Sequence, residues 1–138
     1  HCTEGHLIAD ELAEYKVPAV VGPSLSSRSK VELRELGFTT PGILASKGVK
    51  VAIMTDHPVI PIQYLPICAA IAVKEGMSQE DALAAITINA AEIIGIADRV
   101  GSIVAGKDAD IVVWDGHPFE IMSKPDYVFV NGELAYKY

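Results

Sequence analysis

The chain has 138 residues, half of them hydrophobic, 21% charged and 7% aromatic, which is a globular composition sized for one domain or a piece of a larger one. Eleven basic residues against 18 acidic ones give a formal charge of −7, and the basic ones are scattered singly, which argues against nucleic acid as a partner. No apolar run approaches the ~18 residues that a membrane span needs, and no charged segment followed by an apolar one marks a signal peptide. Cys2 and Cys68 show no CxxC spacing and read as reduced thiols of a cytoplasmic protein. The chain opens at His1 without an approach segment, which suggests a sequence that starts inside a fold.

Residues 4–16 place Leu7, Ile8, Ala9, Leu12 and Ala13 on one helical face, with the acids Asp10, Glu11 and Glu14 largely opposite. The apolar run 17–21, closed by Gly22 and Pro23, reads as a strand covered on both faces, hence a parallel one. A polar loop over 24–30 follows. Thr40 as N-cap and Pro41 at the first helical position announce a helix that ends at Gly48. A second buried strand over 49–54 then delivers Thr55, Asp56, His57 and Pro58 at its carboxyl end. Strand, helix and strand in this order imply parallel winding with a right-handed crossover.

From residue 63 to 75 the chain is apolar nearly all round, as in a helix packed between layers. Ser78 caps a helix over 79–87, with Asp81 at its third position. Asn89 caps another, with Glu92 in capping-box spacing and Gly95 as terminator. The last third changes character. A glycine-punctuated turn over 100–107 leads to a strand over 110–115. Two further apolar strands flank Asn131-Gly132, a strong signal for a type I′ hairpin.

Asp56 is the leading candidate for chemistry, because a carboxylate at the end of a buried parallel strand lies where α/β folds build active sites. A role in capping the following turn is the alternative. His57 and Thr55 add an imidazole and a hydroxyl to the same strand end, a costly cluster unless used or solvated. His1 would lie at a comparable strand end only if a strand preceded it. His1, Cys2 and His6 match no zinc-site spacing, and His6 is read as a solvated or helix-start residue. His117 reads as a loop residue. Arg28 and Lys30 suit either a substrate carboxylate or a solvated loop. There is no GxSxG, HExxH, phosphate loop or GxGxxG.

The segments HCTEGHLIADEL, VPAVVGPSL, VAIMTDHPV, ALAAITINAAEIIGI and VGSIVAGKDADIVVWDGHP resemble, in this order, the amidohydrolase superfamily, in particular its imidazolonepropionase-like branch. The resemblance implies an α/β fold. It would be the C-terminal part of a (βα)8 TIM-type barrel, about strands 6–8, over residues 1–97. Part of a small β-sandwich would follow over residues 98–138. It further implies that His1 falls on the metal-binding histidine of strand six and Asp56 on the aspartate of strand eight. The metal would be divalent, zinc first, with iron or manganese as alternatives. Asp56 and His57 would be catalytic and Arg28 would contact substrate. The family's HxH pair, strand-four lysine and strand-five histidine have no counterpart here.

The implied reaction is hydrolysis of a C–N bond in a cyclic amide, an imidazolone-like ring or an N-acyl substrate. The isolated chain is expected to be inactive. Its expected partners are a small-molecule substrate, the amino-terminal portion of the same protein and further copies of itself, with no nucleic acid or membrane. A non-catalytic oligomerisation or binding module that retains a partial barrel is the competing expectation.

Overall fold

The computed structural model describes all 138 residues. Two sheets organise the chain. In the first, β1 (Ala19–Val21) and β2 (Val51–Ile53) pair in parallel, with Ala19 opposite Val51 and Val21 opposite Ile53. Both strands are shorter than the apolar runs suggest. Val17 is 45% exposed and Val49 serves as a core residue outside the strand. The parallel pairing is as expected, and α2 (Thr40–Ser46) lies between the two strands in the chain.

The expected first helix is broken in two. A 3-10 turn at Gly5–Ile8 precedes α1 (Ala9–Glu14). A 3-10 turn advances about 120° per residue and an α-helix about 100°. One apolar stripe therefore cannot run through both, and Leu7 and Ile8 face solvent at 60% and 50% exposure rather than inward. Ala9 keeps its place in the core, with Leu12 and Ala13 packed against it.

After β2, a 3-10 turn at Ile62–Tyr64 runs into α3 (Leu65–Lys74), which buries Cys68, Ala69 and Ala72. Ser78 caps α4 (Gln79–Ala85) as expected, its hydroxyl accepting the Asp81 amide at 3.0 Å. The two other expected caps are corrected. Thr39, not Thr40, precedes α2, and the Thr40 hydroxyl turns into the interior. Asn89 lies inside α5 (Ile88–Ile93), and its amide donates to the Val51 carbonyl at 3.0 Å. In both cases a polar side chain finds a tertiary partner that local spacing cannot show.

The second sheet has the order β3 (Ile111–Trp114), β4 (Pro125–Val130), β5 (Glu133–Lys137), all antiparallel. Asn131 and Gly132 form the expected turn, both with left-handed backbone at φ 51° and 81°. The principal core cluster comprises 14 residues from Ala9 to Ala85, gathered around β1 and β2.

Candidate active site

The strand ends bring the site together. The Cys2 amide donates to the Val20 carbonyl at 2.9 Å, which extends the sheet hydrogen bonding of β1 to the opening segment of the chain. On the other side of β1, the Met54 amide donates to the Val21 carbonyl at 2.9 Å. His1 and Asp56 thus emerge from two segments that flank β1. The imidazole Nε2 of His1 lies 2.9 Å from Oδ2 of Asp56.

Local backbone aims the carboxylate. Asp56 is left-handed at φ 54°, a conformation that Asp tolerates better than most residues and that collects at functional sites. Thr55 beneath it is 2% exposed. The turn is closed by backbone bonds, from the Val59 amide to the Asp56 carbonyl at 2.9 Å and from the Ile60 amide to the Thr55 carbonyl at 3.2 Å. The carboxylate is thereby left to meet His1. The two side chains are 57% and 38% exposed, so their pairing contributes little to stability, about 0–1 kcal/mol. Its interest is geometric.

His57 stands on the same turn and accepts the Ile62 amide through Nδ1 at 3.3 Å. In a neutral ring that assignment leaves the proton on Nε2, a donor. Arg28 folds back on its own loop, with Nε and Nη2 donating to the Leu36 carbonyl at 3.1 and 2.7 Å. It lines a small polar cavity with Ser24, Ser26, Thr39 and Glu75. His117 accepts the Phe119 amide at 3.2 Å, consistent with a loop residue. His6 lies in the 3-10 turn that starts the first helix, as expected of a helix-start residue, but it is not simply solvated: its Nδ1 lies 2.9 Å from the hydroxyl of buried Thr40. Sequence reasoning missed this contact because 34 residues separate the partners.

Imidazole nitrogen and carboxylate oxygen are the donor types that zinc and similar ions take. His1 and Asp56 are only two such groups, and no cluster of three His, Cys, Asp or Glu side chains occurs in the chain. Their chemistry suits such an ion, but their number does not complete a site. Cys68 is buried, and burial pushes its thiol above the usual range, which disfavours the nucleophilic thiolate.

A parallel α/β unit with polar groups converging at its strand ends is the architecture of α/β enzymes. Comparison with known proteins makes this specific. The Amidohydrolase family profile matches residues 8–135. The chain is 36% identical over 94 residues to Amidohydrolase tasK of Hapsidospora irregularis, covering 68% of this chain and 10% of that protein. It is 34% identical over 115 residues to the Imidazolonepropionase of Bacillus cytotoxicus, covering 75% of this chain and 27% of that one. The crystal structure of an amidohydrolase from Thermotoga maritima MSB8 superposes on all of this chain and on 36% of its own, with a TM-score of 0.96 and 46% identity. The chain belongs to the amidohydrolase family, a family of hydrolases, and it spans about a third or less of these relatives.

Proposed function

We propose that this chain supplies the carboxy-terminal part of a metal-dependent amidohydrolase that cleaves C–N bonds, in cyclic amides or imidazolone-like rings or in N-acyl substrates. The pairing of His1 with Asp56 at 2.9 Å carries the reading, because it joins two metal-ligand types at the strand ends. On this reading, residues 1–97 correspond to about strands 6–8 of a TIM-type barrel and residues 98–138 to strands of a β-sandwich. The Imidazolonepropionase relative and the Thermotoga amidohydrolase support the assignment.

His1 Nε2 and Asp56 Oδ2 would hold a divalent ion, zinc first, with iron or manganese as alternatives. The ion, when bound, brings the pKa of a water towards ~7 and polarises the substrate carbonyl. Asp56 removes the proton of the attacking water and returns it to the leaving nitrogen, a role that suits a carboxylate at hydrogen-bond distance from that water. His57 contributes its Nε2–H, either to orient Asp56 or to meet the oxyanion that develops on the carbonyl. Arg28 retains three of its five N–H groups after bonding Leu36, enough to receive a substrate carboxylate.

Two ligands hold zinc poorly where three or four hold it well, so the chain by itself is inactive on this reading. Its partners are the substrate, the amino-terminal portion of the protein and further copies of itself, in the cytoplasm. Exposed Val112, Leu134 and Tyr136 on the tail sheet favour such association. The structure contains no helix long and apolar enough to cross a membrane.

The test is metal content and hydrolysis of cyclic amides, measured on this chain alone and joined to the amino-terminal portion. Metal and turnover are expected only in the joined protein. A metal-free, inactive and oligomeric product in both cases would overturn the enzyme reading in favour of an oligomerisation module.

A further inference from the structure

His6 lies outside the His1–Asp56 pair, yet it ends a directed line of hydrogen bonds that reaches the segment carrying His1. Its Nδ1 is 2.9 Å from the Thr40 hydroxyl, which is 3.3 Å from the Thr3 carbonyl. Thr40 is 0% exposed and Thr3 3%, so both ends of the second contact are withdrawn from water. A hydroxyl has one proton. With that proton on the Thr3 carbonyl, the Thr40 oxygen is left as an acceptor, and His6 must donate through Nδ1–H.

Neighbouring bonds converge on the same few residues. The Cys2 amide is tied to Val20 at 2.9 Å, the Thr3 hydroxyl donates to the Glu32 carbonyl at 3.4 Å, and the Glu4 carboxylate accepts the Glu35 amide at 2.6 Å. Unlike these anchors, the Thr3 carbonyl is held from α2, by the Thr40 hydroxyl, whose oxygen in turn meets His6. Catalytic groups tolerate displacements of only about 0.5 Å, so the backbone two residues from His1 has to be held as firmly as the ring itself.

We propose that His6 and Thr40 are positioning residues for the candidate site: they clamp residues 2–4 onto α2 and thereby keep the His1 imidazole beside Asp56. The proposal rests on the reading of His1 and Asp56 as the site. It assigns His6 the Nδ1–H tautomer, with Nε2 unprotonated in the neutral ring. A purely structural role would alter stability without displacing His1.

Histidine-selective 15N spectroscopy and nuclear Overhauser contacts on this chain separate the two. The wild-type chain is expected to show His6 protonated at Nδ1 and a contact between the His1 ring and the Asp56 β-protons. Thr40→Val and His6→Leu lose that contact. Thr40→Ser keeps the hydroxyl and His6→Asn keeps a donor where Nδ1 stood, so both retain it. If Thr40→Val does not fold, His6→Leu carries the test, because His6 is only partly buried. An Nε2–H tautomer at His6, or a His1–Asp56 contact that is absent from the wild type or intact in a folded Thr40→Val or His6→Leu chain, overturns the proposal. Full turnover of the joined enzyme carrying Asp56→Asn would instead sink the functional reading and leave these spectra unchanged in meaning.

Discussion

The parallel unit around β1 and β2 and the antiparallel tail of β3 to β5 are held by different forces. All 25 buried residues lie at or before Ala91, and none occurs in the tail. The parallel unit is a hydrophobic core with its polar groups gathered at the strand ends. The tail is held by cross-strand hydrogen bonds, turn chemistry and side-chain clasps, such as the Lys124 ammonium 3.4 Å from the centre of the Tyr138 ring. Burial therefore fixes the region that carries the candidate chemistry, whereas backbone pairing fixes a sheet whose apolar side chains remain available to a neighbour.

The largest test of this contrast is functional. In the joined enzyme, Asp56→Asn should lower turnover by about 10²–10⁴-fold, the usual weight of a general acid–base group. Asp115→Asn in the tail should leave it unchanged, because an Asn oxygen can still accept the Lys124 amide that Asp115 holds at 2.9 Å. Steady-state kinetics on both variants checks the pair. Comparable losses would erase the functional division between the regions.

Stability should divide in the same way. Leu44 is 0% exposed, and Leu44→Ala should cost about 3 kcal/mol through lost transfer energy and the cavity left behind. Val112 is 46% exposed, and Val112→Ala should cost under about 1 kcal/mol. Urea unfolding of this chain measures both, and equal costs would show that the tail owns a core after all.

The junction between the regions is tighter than the hairpin tip. A Cβ on Gly101 would lie 2.8 Å from the Ala91 Cβ and 3.0 Å from the Ile88 Cα, at a φ of +90°. Gly101→Ala should therefore cost about 2–3 kcal/mol, strain and overpacking together. Gly132, at φ +81°, has only Ala109 Cβ within reach, at 3.8 Å, so Gly132→Ala should cost about 1 kcal/mol from the left-handed backbone alone. Thermal melts should rank them in that order. A finer probe is thiol labelling. Half-buried Cys2 should be modified before Cys68, whose burial raises its pKa and whose access requires the core to open. Equal rates would mean that the parallel unit breathes as freely as the tail.

Much of this was legible from local pattern. Ser78 with Asp81, and Asn131 with Gly132, specify a helix start and a hairpin turn through interactions within a few residues, and both occur. The unbroken apolar runs around Val21 and Ile53 announce parallel strands, because only strands covered on both faces dispense with polar alternation. The position of Asp56 at a strand end follows from the same pattern.

What tertiary structure alone decided lies between residues distant in sequence. Asn89 and Thr40 carry the residue types of helix caps, but each spends its side chain on a partner more than 30 residues away. The 3-10 turn at Gly5–Ile8 moved Leu7 and Ile8 outward. The meeting of His1 and Asp56 across 55 positions required β1 between them as a spacer. Sequence determines the short-range chemistry of caps, turns and apolar faces because those energies act within a turn or two of chain. The site depends on long-range packing, which sets which strand ends share one edge of the sheet.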